Sequence, residues 1–349
     1  MKICITTPSD EHALGRGIKG GNQLIMESLA KAINKYTKHE AETLFLPLNH
    51  YPNSSLLRSY LKYYAKSLSD LSDYDMVISS KFPSYAIRHD NHICYFAHRF
   101  RQFYDFWPDY KNQISGLYKA SSCIARPIIR RIDTHFLKKA RIVAYSKFLQ
   151  ARLKSAGLGS ELVYAPPHIE DNEFRQGSYD YIFLPHILDD SRKRISLVIR
   201  AMKHIKADIR LKIAGEGPHR KQLMQLAKKD NRIEFLGYKS DNQLARLYSD
   251  ALCVPFTSYL EDYGLVTVEA MKSAKPVITC TDSGGPLEFV VHNKTGLVCT
   301  PDPKSVAECL DFLINNRKDA KKIGKNGLKS VRDITWKNAV KTIISYNVE

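Results

Sequence analysis

The residues best placed to do chemistry lie in one run, Pro255-Phe256-Thr257-Ser258-Tyr259-Leu260-Glu261-Asp262-Tyr263-Gly264-Leu265-Val266-Thr267-Val268-Glu269-Ala270-Met271. A β-prone stretch ends at Phe256, a polar loop follows, and a helical pattern starts near Gly264. Glu261 therefore falls in the loop at the strand's C-terminal edge, and Glu269 sits inside the helix. At about 1.5 Å of rise per residue, Gly264 to Glu269 spans only about 7.5 Å. Both carboxylates can thus address different parts of one ligand. Between them the N–H groups of Gly264, Leu265 and Val266 open the helix without intrahelical acceptors, which suits a diphosphate. The bland alternative, two solvated glutamates on a helix face, fails for Glu261, which precedes the helix.

Two other motifs have the letters of a site without its setting. Gly15-Arg16-Gly17-Ile18-Lys19-Gly20 matches G-x-G-x-x-G, but a dinucleotide turn must begin as the first strand ends. Here residues 8–14 intervene, and Glu40 and Glu42 lie at the start of the second strand rather than its end. Gly20-Gly21 keeps its interest, because glycines at a helix start let a phosphate or sugar approach the free N–H groups. Asp73-Tyr74-Asp75 has the form of a metal-holding D-x-D, yet it precedes the strand expected at 76–79. It reads as a polar turn. No other grouping of His, Asp, Glu or Cys has ligand spacing, so no metal site is expected.

The elements that position these residues alternate between short β-rich runs and amphipathic helical segments, which argues for α/β architecture with mainly parallel sheets. In the first half strands are expected at 2–7, 43–46, 76–79, 92–96, 141–145 and 162–165, with a helix at 23–34. The aromatic-rich stretch 99–110 reads as a functional loop. After Ala165-Pro166-Pro167 a polar segment runs to Tyr179. Strands then follow at 181–184, 209–214, 233–236, 251–256, 276–279 and 296–299. Helices fall between them at about 193–203, 220–229, 241–249, 264–272 and 303–315. Two doubly wound, Rossmann-like domains hinged near 166–178 are expected, facing across a cleft that takes the substrates at the strands' C-terminal ends.

Composition bounds the function. The chain has 349 residues, 44% hydrophobic and 26% charged, with a formal charge of +17. This is ordinary globular composition, and no run approaches the ~18 apolar residues of a membrane span. The N-terminal apolar run is too short for a signal peptide. Seven scattered cysteines without a Cys-x-x-Cys pair point to reduced, structural thiols and a cytoplasmic protein. Residues 51–160 hold 18 Lys/Arg against 7 Asp/Glu, whereas 161–349 hold 29 against 24. Such asymmetry is the footprint of an anionic partner, although solubility with a few ion pairs would also account for it.

With these residues in place the chain resembles the retaining glycosyltransferases of family 4, which have the two-domain GT-B fold. Glu261 and Glu269 match that family's Glu-x7-Glu motif. Lys212-Ile213-Ala214-Gly215-Glu216-Gly217-Pro218, Phe235-Leu236-Gly237-Tyr238, Lys275-Pro276-Val277-Ile278, Gly284-Gly285-Pro286-Leu287-Glu288 and Asn293-Lys294-Thr295-Gly296-Leu297 follow the family's order. Gly20-Gly21 and Val143-Ala144-Tyr145-Ser146 fit in the first half, while 50–140 matches weakly. The resemblance implies an acceptor-side domain at 1–165, with 336–349 crossing back onto it and Trp336 as anchor. It implies a donor domain at 166–335. Glu261 would bind the donor sugar's hydroxyls and Glu269 the ribose. Lys193 would neutralise the leaving diphosphate, and His98 would reach the transferred sugar. Gly21, Arg192, Tyr263, Gly264 and Leu265 complete the implied donor contacts. One departure stands out. The family has Gly-Arg where this chain has Leu184-Pro185-His186, so either Arg192 supplies the missing guanidinium or the diphosphate is held more weakly.

The activity so implied is transfer of a hexose-type sugar from a UDP- or GDP-sugar to a glycan or lipid-linked acceptor, as in cell-surface polysaccharide assembly. No metal or other cofactor is expected. On the acceptor side Arg99, Arg101, Trp107, Arg130 and Arg131 stand out, since cations interleaved with aromatics suit anionic headgroups. That pattern adds an anionic membrane surface as a partner and a peripheral location on its inner face. A soluble small acceptor is the rival. A basic single-strand nucleic-acid binder would leave the two glutamates without purpose, so nucleic acid is not expected as a partner.

Overall fold

A computed structural model describes residues 1–9, 20–47, 58, 60–66 and 71–344. Of the G-x-G-x-x-G run, only Gly20 falls among them. The chain divides into two compact units, Met1–Ala165 with Trp336–Glu349, and Pro166–Thr335.

The first unit is built on a parallel six-stranded sheet of β1 (Lys2–Ser9), β2 (Glu40–Pro47), β3 (Met76–Ser79), β4 (His92–Phe96), β5 (Arg141–Ala144) and β6 (Glu161–Leu162), in the order β2-β1-β3-β4-β5-β6. Ile3, Cys4 and Ile5 have no exposed surface, and β3 and β4 are buried along their whole length. Continuous burial of this kind marks a parallel sheet covered on both faces. The strand order reverses direction between β1 and β3, which makes their C-terminal ends the natural binding edge. Asn22 bridges that edge, its Nδ2 donating to Thr7 Oγ1 at 3.0 Å and to Ser80 Oγ at 3.1 Å.

The second unit carries β7 (Tyr181–Pro185), β8 (Leu211–Ala214), β9 (Ile233–Gly237), β10 (Ala251–Phe256), β11 (Val277–Cys280) and β12 (Gly296–Cys299), all parallel, in the order β12-β11-β10-β7-β8-β9. This is the dinucleotide-type Rossmann order read from its far edge, with its reversal between β7 and β10. A core running from Ile182 and Leu184 through Val198, Ile213 and Ile278 to Leu310 lies under the helices Ile195–Ala201 and Pro303–Asn315.

Two expectations need correction. The stretch 99–110 is not a loop: it forms a 3₁₀ turn, Arg101–Phe103, and then the helix Trp107–Gln113. Four of its aromatics, Phe100, Phe103, Phe106 and Tyr110, are buried and structural. The strand expected at 162–165 shortens to Glu161–Leu162, because it sits at the sheet edge and pairs only with β5. Trp336, half-buried, begins the helix Trp336–Ile344, one face of which is buried against Gly21–Tyr36. Ala339, Val340, Ile343 and Ile344 supply that burial, and Arg141 Nη1 donates to the Ile343 carbonyl at 2.8 Å. The 22-residue helix Gly116–Leu137, with Pro127 inside it, was not anticipated from the pattern.

His92 lies inside the first sheet, 6% exposed, with Nε2 2.8 Å from Ser79 Oγ. Burial, helped by the charge of His89, pushes its pKa from 6.5 down to about 4. Between those values the unfolded chain binds the proton and the folded chain does not, so stability falls as pH drops from about 6.5 towards 4. Thermal unfolding followed from pH 7 to pH 4.5 is expected to show a lower Tm at the acid end. His92→Gln, which keeps a partner for Ser79 without titrating, is expected to flatten that slope.

Candidate active site

After β7 the chain makes a single helical turn, Asp190–Lys193, then passes through Arg194 in the left-handed region at φ 50° and enters the helix Ile195–Ala201. Arg194 is the fastener of this corner. Its Nη1 and Nη2 donate to Asp282 Oδ2 and Oδ1 at 2.9 and 2.7 Å, and its Nε donates to the Thr257 carbonyl at 2.6 Å. One guanidinium thus ties the turn after β7 to the loops after β10 and β11. Nothing in the sequence marks Arg194, because a planar fork bridging a carboxylate and a carbonyl is legible only in three dimensions.

Held this way, Lys193 donates from Nζ to Glu261 Oε2 at 2.6 Å, with both side chains 25% exposed. Glu261 is fixed through its backbone: its N–H donates to the Ser283 carbonyl at 2.7 Å, and its carbonyl accepts from Gly285 N–H at 2.8 Å. That ladder explains the glycines. A Cβ on Gly285 would lie 2.6 Å from the Asp262 carbonyl oxygen. Gly264 has φ +82°, and a Cβ there would meet Pro286 Cγ at 2.7 Å. A left-handed residue with a side chain costs about 1–2 kcal/mol before any such overlap. Gly264 is the N-cap of the helix Leu265–Lys272 and offers no side-chain cap. The helix therefore starts with N–H groups available to a ligand.

Glu269 points inward, 4% exposed. Tyr248 donates its hydroxyl to Oε2 at 2.6 Å, and His168 Nδ1 lies 3.5 Å from Oε1, beyond ordinary hydrogen-bond length. His168 Nε2 is in turn 3.2 Å from Asp241 Oδ1. Burial raises the Glu269 pKa above its ordinary value, with His168 and Tyr248 opposing the shift. Neither Tyr248 nor His168 carried a motif in the sequence. Tyr263 packs into the protein, its ring edge-on to Phe289 at 5.7 Å. Leu265 begins the helix, and the Arg192 carbonyl accepts from Tyr259 N–H at 2.8 Å. His186, standing where a guanidinium was expected, is 8% exposed and lies against Phe256, the ring centroids 5.0 Å apart and the planes tilted by 32°. Burial, with Lys193 nearby, holds its pKa well below the usual range, and its Nε2 has no hydrogen-bond partner among the described residues. It is neutral, so it does not replace an arginine's charge.

In the first unit Gly21 opens the helix Gly21–Tyr36 and is exposed, with room around its Cα. His98 is driven to a pKa of about 3 by burial and by Lys81, so its ring is neutral. Its Nδ1 donates to the Arg99 carbonyl at 2.8 Å, which leaves Nε2 as the acceptor. His98, Arg99, Arg101 and Arg130 line one cavity, joined by Arg126 and Arg152. Trp107 lies under Arg126, 4.9 Å from its Cζ. Arg131 does not join them. It is exposed, and at 100° per residue it falls on the opposite face of Gly116–Leu137 from Arg126. The Asp73 and Asp75 pair precedes β3, where Asp75 Oδ2 accepts from Lys2 N–H at 2.6 Å. Among the described residues no grouping of three or more His, Cys, Asp or Glu could hold a metal ion.

Residues 167–330 match the family model described as Glycosyl transferases group 1. An uncharacterized glycosyltransferase of Methanocaldococcus jannaschii is 28% identical over 221 residues, 62% of this chain and 56% of that protein. The alpha-1,3/1,6-mannosyltransferase ALG2 of Dictyostelium discoideum is 36% identical over 118 residues, 33% of this chain and 28% of that one. The chain thus spans about half or less of the length of these relatives. Among solved structures, Anabaena HepE in complex with UDP and glucose superposes with a TM-score of 0.71 at 16% identity, over 99% of this chain and 98% of that one. The sucrose-phosphate synthase of Thermosynechococcus elongatus gives 0.74 at 18% identity, over 98% and 96%. At those identities the likeness is one of fold: two parallel Rossmann-like sheets, as in GT-B proteins. The Lys193–Glu261 pair and the Gly264 helix start both lie inside the second-unit span that matches the Glycosyl transferases group 1 model.

Proposed function

We propose that this chain is a retaining glycosyltransferase that moves a hexose-type sugar from a UDP- or GDP-sugar to a glycan or lipid-linked acceptor, without a metal. The observation that carries this reading is the 2.6 Å Lys193–Glu261 pair beside the uncapped start of Leu265–Lys272, at the strand-order reversal of a group 1 domain. The UDP held by HepE supports the donor class. A quarter-exposed ion pair exchanges readily, because water screens it and its net strength is small. On donor binding the Lys193 ammonium turns to the diphosphate, and the released Glu261 carboxylate accepts hydrogen bonds from the sugar's hydroxyls. Glu269, steadied by Tyr248, holds the ribose hydroxyls.

The bond from the anomeric carbon to the diphosphate oxygen then breaks while the acceptor oxygen bonds to the same face. The acceptor's proton passes to the departing diphosphate. Negative charge grows on that leaving group, so a fixed cation and the helix N–H groups stabilise the transition state more than the ground state. Lys193 supplies the charge a metal ion would otherwise bring. His98, neutral with Nε2 as acceptor, is fitted to take a hydrogen bond from a sugar hydroxyl.

Membrane contact has a separate observation. Leu117, Ile124 and Ile128 are 90%, 67% and 47% exposed, and with Arg131 they share one face of Gly116–Leu137. An exposed apolar stripe beside cations fits an interfacial helix on an anionic bilayer. Among the described residues no helix is long and apolar enough to cross a membrane.

Three measurements test these readings. Nucleotide diphosphate release from UDP- and GDP-sugars is expected to fall about 10²–10³-fold in Glu261→Ala and in Lys193→Ala, the scale of losing one preorganised charge partner. Undiminished turnover in Glu261→Ala overturns the site. The correct donor at about 100 times its Kd is expected to stabilise the fold by about 2.7 kcal/mol. Separately, flotation with anionic liposomes at low and high salt is expected to show salt-sensitive association that Ile124→Asp weakens. Absence of any association removes the membrane reading.

A further inference from the structure

The first unit holds a cavity of about 220 Å³ lined by Arg99, Arg101, Arg126, Arg130, Arg152 and Tyr104. We infer that this cavity is an anion site that receives a phosphate-bearing group of the acceptor. That the anion belongs to an acceptor rests on the transferase reading above; that the cavity binds phosphate does not.

The charge balance comes first. Asp105 is the single carboxylate among the lining residues, and two arginines share it. Arg101 donates to its Oδ2 from Nε and Nη2 at 2.8 and 2.5 Å, and Arg152 Nη2 lies 3.2 Å away. Arg99, Arg126 and Arg130 have no carboxylate at ion-pair distance among the described residues. Three guanidinium groups held around one hollow repel each other, and a polyanion relieves that repulsion.

The cations are also held in place. Arg99 Cζ lies 4.0 Å from the Tyr104 ring centroid, and Arg130 Cζ lies 5.3 Å from it. Arg126 donates from Nε to the Phe103 carbonyl at 3.0 Å. The Tyr104 ring is itself anchored, its hydroxyl donating at 2.6 Å to Asp133, which has no exposed surface. Asp133 also accepts from Tyr85 at 2.5 Å and from Tyr60. Its oxygens are engaged by three hydroxyls, so it positions the ring from behind; its charge acts on Arg99 through space but it is not among the lining residues.

Size and shape choose the ligand. The volume is below the ~300 Å³ at which drug-sized pockets begin, so the cavity takes a headgroup-sized moiety and not a whole glycan. Planar guanidinium forks match phosphate oxygens in pairs. Phosphate esters and diphosphates are the chemistry this wall recognises. His98 lines the same cavity, which puts a neutral ring acceptor beside the bound anion.

The test uses the full chain in a Lys193→Ala background, so that the donor's diphosphate site does not report. Inorganic pyrophosphate is titrated calorimetrically, with malonate as a carboxylate control. Tight binding of pyrophosphate over malonate is expected, weakened at least 10-fold by Arg130→Gln and further by Arg99→Gln/Arg130→Gln. Arg130 is exposed on a helix, so its variant is expected to fold, which its Tm will check. Equal binding in the variants, or malonate binding as tightly as pyrophosphate, overturns the inference. Flotation with phosphatidylglycerol vesicles separates the sources: unchanged flotation with lost pyrophosphate binding supports an acceptor phosphate. Lost flotation with unchanged pyrophosphate binding makes it a lipid headgroup site and overturns the assignment. Donor protection against unfolding, measured with Lys193 present, is expected to survive Arg130→Gln. If no nucleotide sugar protects any form while pyrophosphate still binds the cavity, the transferase reading fails and the anion site stands.

Discussion

The bidentate grip of Arg194 on Asp282, with its third bond to the Thr257 carbonyl, is the constraint on which the second unit's site rests. β11, β10 and β7 are neighbours in the sheet, and Arg194 joins the segments that leave all three at their C-terminal ends. Each segment alone is a short connection with little to hold it. Tied together they bring Lys193 and Glu261 within 2.6 Å and set Glu261 against the Gly284-Gly285 backbone. Arg194 stands in a left-handed conformation to do this, a local cost offset by three hydrogen bonds. A lysine could not make them, having a point charge in place of a fork.

The first unit solves a similar positioning problem with a buried carboxylate. Asp133, without exposed surface, is costly to bury, and burial raises its pKa. Three tyrosine hydroxyls compensate, drawn from residues 60, 85 and 104, which are far apart in the chain. The arrangement locks Tyr104, and through its ring Arg99 and Arg130. In each unit, then, a group of charged side chains is held in place by hydrogen-bonded neighbours drawn from distant segments.

Most of the fold was legible along the chain. Parallel strands buried on both faces read as short apolar runs, so β3, β4, β10 and β12 fall where the pattern puts them. Gly116–Leu137 was not legible, because Pro127, its serines and its scattered arginines obscure the helical period. The aromatics of 99–110 misled for another reason: residue type alone does not separate a ring that awaits a ligand from one that packs against Phe82 or Trp107. Arg126 and Arg131 looked alike in the sequence, yet one faces the cavity and the other lies on the exposed face.

What could be known from the order of residues was the set of local relations: a strand end, a glycine that must turn, two carboxylates eight positions apart, and a basic half. Those relations depend on spacing along one backbone, and helical rise and strand pleat convert spacing into distance. The pairing of Lys193 with Glu261, the burial of Glu269 against Tyr248, the neutrality of His186 and the gathering of five arginines around one cavity depend on folding. They arise between segments tens of residues apart, where packing and desolvation set which groups meet and which charges survive.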